Sequence, residues 1–279
     1  MKKIYLYLLL VLLSFKTYAQ EEPKRFNFLR NFPNDPKSSK IKQKGLKLSL
    51  DSASLSTLYG SEPEEFLFDL PRPNGKTKSY RFKKHQVVTS SFKVTTSDGR
   101  EFSGKEYTGV SYKVFDRKNQ INFGGLTITK DDIGGLLQED ANNNINIGKL
   151  RNAKDTYVAL PESEMDSKPT FACATPDPDL AIPQDEWLKE VQPQIGDTQT
   201  PEIGQAIGGA GCKTLGIYIE CDYKMYQDNG SSIANTTAKV TSLFNLVKQI
   251  YENEGISIYI DQIYIWTTTD PYATMNSSS

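Results

Sequence analysis

Between Leu46 and Leu160 apolar and polar positions alternate in short runs, each broken by turn-forming residues. Phe66-Leu67-Phe68-Asp69-Leu70 leads into Pro73-Asn74-Gly75, and Tyr80 and Phe82 resume the alternation. Phe92-Lys93-Val94 runs into Ser97-Asp98-Gly99, with Phe102 following, and Val110 to Phe115 meets Asp116-Arg117-Lys118-Asn119 before Ile121 and Phe123. Asn-Gly and Asp-Gly between alternating apolar runs are hairpin signals, so this stretch reads as an antiparallel meander or small sandwich, with a helix over 52–59. After Gly211 the rhythm changes. Leu215, Ile217, Ile219, Cys221 and Tyr223 alternate as one buried strand. Val240, Leu243, Phe244, Val247, Ile250 and Tyr251 then recur at the spacing of one helical face, with Asn235, Thr236 or Thr237 as cap and Glu254-Gly255 as stop. Ile256, Ile258 and Ile260 open a second strand, continued by Ile263, Ile265 and Trp266. Its apolar face switches at Asp261-Gln262, as at a bulge. Strand, helix, strand is a βαβ unit.

The expected fold class is therefore mixed α+β: a β-rich antiparallel N-terminal domain over 46–160, a Pro/Gly-rich linker over 161–211, and an incomplete βαβ unit over 212–279. The linker assignment follows from Pro161, Pro169, Pro176, Pro178, Pro183, Pro193 and Pro201 and the Gly208-Gly209-Ala210-Gly211 run. Residues 20–45 are polar and basic and read as a flexible leader. Before them, Met1-Lys2-Lys3, an apolar run from Ile4 to Phe15 and Thr17-Tyr18-Ala19 have the form of a secretory signal peptide over 1–19. That segment is too short to span a bilayer, so the expected location is secreted, periplasmic or cell-surface, with no membrane attachment after cleavage. Two parallel strands and one helix leave a sheet edge and one face uncovered, so the unit expects either more sequence to close it or the N-terminal β domain to pack onto it.

Composition narrows the chemistry. In 279 residues, Lys and Arg number 33 against 34 Asp and Glu, so no charge excess drives binding to nucleic acid. The chain has 1 histidine, His85, which excludes any site needing two imidazoles, and no G-x-S-x-G elbow accompanies it. Within Lys83-Lys84-His85-Gln86 it reads as a solvated side chain. The Tyr- and Ile-rich runs at 217–226 and 256–266 read as core. Of the 3 cysteines, an odd count in an exported chain leaves one unpaired, and no C-x-x-C supports a thiolate zinc knuckle. A straight strand would hold Cys212 and Cys221 ~30 Å apart, so pairing them needs a reversal near Lys213–Gly216.

Leu215-Gly-Ile-Tyr-Ile-Glu-Cys-Asp-Tyr223, Phe244-Asn245-Leu-Val with Tyr251-Glu-Asn-Glu254, and Trp266-Thr-Thr-Thr-Asp-Pro-Tyr272 resemble the opening of the catalytic domain in secreted bacterial (Bacteroidetes-type) reprolysin-like zinc metalloproteases of the metzincin clan. The resemblance covers about 212–273 and implies that 46–160 is the β-rich propeptide of a zymogen, acting as folding template and inhibitor in contact with the catalytic domain. It also implies Zn2+ in the full-length enzyme and protein or peptide substrates. The clan's H-E-x-x-H-x-x-G-x-x-H is absent, so this chain holds no zinc and no catalytic residue of its own, and the missing histidines are expected past residue 279. Cys173, in Phe171-Ala-Cys173-Ala-Thr-Pro-Asp177, is the candidate cysteine-switch ligand for zinc in the latent form, although Ala174 stands where the family-type segment has glycine. Asp177 or Asp179 is the alternative. A second reading is a free-standing secreted β-rich binding or inhibitory module without catalysis.

Overall fold

The structure, a computed structural model, describes residues 22–32, 45–72, 75–115, 123–140, 143–150, 155–165 and 214–272. Along the chain run β1 (Leu29–Asn31), β2 (Leu46–Leu50), α1 (Ser52–Ser61), β3 (Glu65–Pro71), β4 (Thr77–Lys84), β5 (Val88–Thr96), β6 (Glu101–Phe102), α2 (Lys105–Thr108), β7 (Val110–Val114), β8 (Gly124–Ile128), β9 (Ile133–Asp140), β10 (Asn143–Lys149) and β11 (Thr156–Pro161). Then come β12 (Thr214–Cys221), α3 (Tyr223–Asp228), α4 (Ile233–Asn253) and β13 (Ser257–Ile265). One sheet has nine strands in the order β1-β2-β11-β10-β9-β8-β7-β4-β3, and its strand pairs are antiparallel. The expected hairpins are there: β3 pairs with β4 and β5 with β6. The Asp116–Asn119 turn lies outside the described residues, but β7 and β8 on either side of it are paired.

Period-2 alternation gives the large sheet two unlike faces. Phe66, Phe68, Phe82, Val110, Tyr112, Leu126, Ile128 and Leu137 bury one face, against Leu55 and Leu58 of α1. Asp51 caps that helix through a hydrogen bond from Ser54 N (3.1 Å). The same core contains Phe26, Phe28 and Leu29, so the flexible-leader expectation is corrected for residues 22–32. Phe28 stacks on Phe68 with ring centroids 4.3 Å apart, and β1 pairs with β2. Three large apolar side chains among polar neighbours outweigh the turn-like composition around them, because each, once buried, contributes ~1.5–3 kcal/mol. The intervening strand residues, Ser111, Lys113, Gly125 and Thr127, turn to the opposite face.

The second sheet has four strands in the order β12-β13-β5-β6. β12 and β13 are parallel, as a βαβ unit requires, and the register shifts between Ile217 and Tyr218 against Ile260 and Gln262. Asp261 is the extra residue, which is the bulge expected from the switch of apolar face. Of the exposed edges such a unit is expected to have, the one along β13 is filled by β5, which runs parallel to it and brings β6 along. Residues His85 to Val87 carry the chain from one sheet to the other: His85 N donates to Ser111 O of the large sheet (2.8 Å), and Val87 O accepts from Ile260 N of the small one (2.9 Å). Sequence proximity cannot show such a pairing, because the partners lie in distant parts of the chain.

Helix α4 lies between the sheets, against β7, β8 and β9 on one side and β13 on the other. Ser232, rather than Asn235, Thr236 or Thr237, caps it, its hydroxyl accepting from Asn235 N. The buried stripe also differs from the expected one. Val240 and Phe244 are buried, but Leu243, Val247, Ile250 and Tyr251 are exposed, Ile250 by 53%. In their place Thr237, Thr241, Asn245, Lys248 and Gln249 are buried. The helix is turned toward a partner that offers hydrogen-bonding groups. On the small sheet, Ile217 and Ile219 are only half-buried and Leu215 is exposed, because β12 is an edge strand, and Tyr223 begins α3 rather than extending β12.

Candidate functional site

The described residues concentrate their buried polar chemistry in the seam between α4 and the large sheet. Burying amide and hydroxyl side chains is tolerable only when each finds a partner, and here nearly all do. Thr241 Oγ1 donates to Thr108 O (2.9 Å). Asn245 Nδ2 donates to Tyr112 O (3.0 Å) and more weakly to Leu126 O (3.4 Å), so the helix is fastened to the backbone of both β7 and β8. Gln249 Oε1 accepts from Gly124 N (3.2 Å), while its Nε2 donates to Asn245 O (2.9 Å). This approach is close because β8 and β9 carry glycine on the facing side. A Cβ on Gly125 would lie 2.5 Å from Tyr112 O and 2.6 Å from Asn245 Nδ2, and one on Gly134, the β9 glycine on this face, would lie 3.7 Å from Ser242 Oγ of α4.

At the C-terminal end of α4 the seam becomes ionic. His85 is 6% exposed, which corrects the expectation of a solvated side chain. Its short run of charged neighbours belongs to the end of β4, whereas His85 itself sits at the crossover, under the helix. With the Asn245 amide nitrogen spent on carbonyls, Asn245 Oδ1 accepts from His85 Nδ1 (2.6 Å). His85 Nε2 faces Glu252 Oε1 at 3.0 Å. Burial lowers the His85 pKa, prevailing over the hydrogen bonds to Asn245 and Glu252 that favour the imidazolium, so Nε2 becomes a donor to Glu252 only against that pressure. Lys113 Nζ, from β7, binds Glu252 Oε2 (2.7 Å). Burial pushes the Glu252 carboxyl up, but hydrogen bonds from Lys113 and then His85 outweigh it and hold it at about 2. Lys248 completes the group. Its fully buried ammonium donates to Ile258 O (2.7 Å), lies 3.5 Å from Glu252 Oε1 and sits 3.4 Å from the centre of the Tyr259 ring. One carboxylate thus gathers cationic groups from β7 and α4 and an imidazole from the crossover.

This arrangement holds elements together; it presents no activated nucleophile. Cys221 is a free thiol buried in the small-sheet core, and burial, with Asp222 and Glu220 nearby, pushes its pKa up to about 12. Cys173, the candidate zinc ligand, lies outside the described residues, as do Asp177, Asp179 and Cys212. Among the described residues no three His, Cys, Asp or Glu side chains gather as a metal would require, so this donor set does not fit zinc. No helix among them is long and apolar enough to cross a membrane. Two signals for the seam were present in the sequence. Gly124-Gly125 and Gly134-Gly135 interrupt strands where a backbone approaches closely, and Thr237, Thr241, Asn245 and Gln249 repeat every four residues beside the apolar stripe.

The helix side of the seam, the bulged parallel pair and the blocks around Asn245 and Trp266 belong to a region with a known likeness. No curated protein matches the chain. The family model for the Reprolysin (M12B) family zinc metalloprotease matches residues 213–279, so the stretch that supplies β12, α3, α4 and β13 is similar to part of a zinc metalloprotease domain.

Proposed function

We propose that the chain is the N-terminal part of a secreted zinc metalloendopeptidase zymogen. In this reading, residues 214–272 form the first βαβ of a reprolysin-like catalytic domain, and the preceding β-rich part is a propeptide that templates and restrains it. Zinc, its ligands and the general base would come from a helix bearing H-E-x-x-H, a motif absent from this sequence. Peptide bonds of proteins would be the substrate, cut outside the cytoplasm.

The observation that carries the reading is the character of the seam. Two halves of one permanent core meet through apolar side chains, whereas surfaces destined to part are more polar. Toward the large sheet α4 presents Thr237, Thr241, Asn245, Gln249 and Glu252, a stripe that water can solvate once the sheet is removed. Toward the small sheet it presents Val240 and Phe244, in an apolar core that β12 and β13 share with Val87, Phe92 and Val94. The family match favours this reading over a free-standing binding module.

A protease site inserted within 166–213 of the full chain tests it. After cleavage the two pieces are expected to co-elute in gel filtration and to separate in mild denaturant as folded species. Pieces that fall apart at once, or that part only on global unfolding, would count against a releasable propeptide. In the product of the complete reading frame, chelator-sensitive casein cleavage should appear only after that cut.

A further inference from the structure

The face of the small sheet turned away from α4 carries a second cluster, unrelated to the seam and independent of the zymogen reading. Tyr218 and Glu220 are two residues apart on β12 and so share this face, and Tyr264 of β13 stands opposite Glu220 in the parallel register. Trp266 follows on the same side, its ring edge-on to Tyr264 with centroids 5.4 Å apart. The sequence reading of this run as core holds for Ile258, Ile260, Ile263 and Ile265, while the alternating aromatics are left outside. Tyr218 is 54% exposed and Tyr272 44%.

Glu220 is held in place at the centre of these rings. Its Oε1 accepts from Trp266 Nε1 (2.6 Å) and from Tyr272 OH (3.1 Å). Tyr272 is itself positioned by buried Asp270, whose Oδ1 accepts from Tyr272 N (2.8 Å) while its Oδ2 accepts from Tyr223 N at the start of α3 (2.7 Å). The carboxylate has no Lys or Arg partner among the described residues, and Lys93 of β5 is engaged by Glu101. Both hydrogen bonds from the aromatics go to Oε1, which leaves Oε2 open. A fixed carboxylate with an open oxygen, beside exposed aromatic faces and unmatched by any cation, is complementary to a flat cation that binds carboxylate edge-on and stacks on rings.

The geometry points to a binding site for an arginine side chain of a partner peptide, seated against Glu220 Oε2 and the ring of Tyr218. Trp266 supplies the readout. With Trp187 replaced by Phe, it is the remaining indole of the 2 in the chain. Titration of this full-length variant with acetyl-Gly-Arg-Gly-amide should change its fluorescence saturably, and the citrulline analogue, isosteric but neutral, should not. Glu220→Gln keeps an acceptor for Trp266 and Tyr272, so folding is retained, and it should weaken the arginine peptide at least tenfold. Tyr218→Ala should weaken it several-fold. A response that does not saturate, that is equal for citrulline, or that survives Glu220→Gln would overturn the assignment.

Discussion

The closeness of α4 to the large sheet depends on a missing methyl group, and restoring it is the sharpest test of the seam. In Gly125→Ala the new Cβ would stand 2.5 Å from Tyr112 O, 2.6 Å from Asn245 Nδ2 and 3.2 Å from Gln249 Nε2. Ordinary contact needs about an ångström more, so the Asn245 amide must withdraw from Tyr112 O and Leu126 O. Overpacking of this kind costs about 1–3 kcal/mol. Leaving a buried amide without its carbonyls adds about 1–3 kcal/mol. The expected loss is therefore about 2–6 kcal/mol, a large share of a typical stability of about 5–15 kcal/mol. Gly148→Ala is the internal control. It also lies in a strand, but its Cβ would meet nothing within 4 Å. That substitution should be neutral, or stabilising by up to about 1 kcal/mol through the unfolded chain. Urea unfolding of the full chain, followed by circular dichroism and by indole fluorescence, gives both values. Asn245→Ala in the Gly125→Ala background should lose less than the two single changes added together, because the clashing amide is gone. A Gly125→Ala chain within 0.5 kcal/mol of wild type, or one no worse than Gly148→Ala, would refute the close-packed seam.

Other consequences are equally direct. Glu252 is held at about 2 against its ordinary 4.5, so its stabilisation is complete above about 4.5 and is lost as pH falls toward 2. Glu252→Gln should flatten the acid limb of stability between those values in denaturation curves taken at a series of pH. His85→Phe keeps an aromatic ring but strands Asn245 Oδ1, and should destabilise by about 1–3 kcal/mol in urea, whereas Lys83→Ala nearby should change little. Cys221, buried and with its thiol pushed up to about 12, should remain unmodified by iodoacetamide at neutral pH in the native chain and react in urea, as read by peptide mass mapping. Val94→Pro removes a backbone donor from β5, which lies between β13 and β6, and the chain cleaved within 166–213 should then come apart in gel filtration.

What was legible in the sequence was local. Turn residues and period-2 runs placed β3 with β4 and β5 with β6, and the displaced apolar face at Asp261 located the bulge in β13, because each of these is decided within a few residues. The helix expected over 52–59 is present as Ser52–Ser61, and the structure shows Asp51 capping it. What was not legible depended on partners far along the chain. The stripe Leu243, Val247, Ile250 and Tyr251 has the spacing of a buried face, but the direction α4 turns is set by the carbonyls of Tyr112 and Leu126 and by glycines on β8 and β9. His85 looked solvated because its neighbours are lysines, and only the crossover from β4 to β5 puts it under Glu252. The candidate site residue read from the sequence was Cys173, while Asn245 and Glu252 entered only within the blocks of a family likeness, with nothing local to connect them to the His85 and Lys113 that engage them.

The crossover at His85–Val87 has a consequence for any event that parts the two regions. Strands β5 and β6 belong by sequence to the first region and by hydrogen bonding to the second. A cut beyond residue 165 followed by separation would therefore strip Phe92 and Val94 of their cover by Ile260, Ile263 and Ile265, and leave a bare strand edge on each fragment. Unpaired edges of that kind invite aggregation and proteolysis. The departing fragment would be consumed rather than kept available to rebind, so separation would run in one direction, with the irreversibility set by strand connectivity and not by the strength of any single contact.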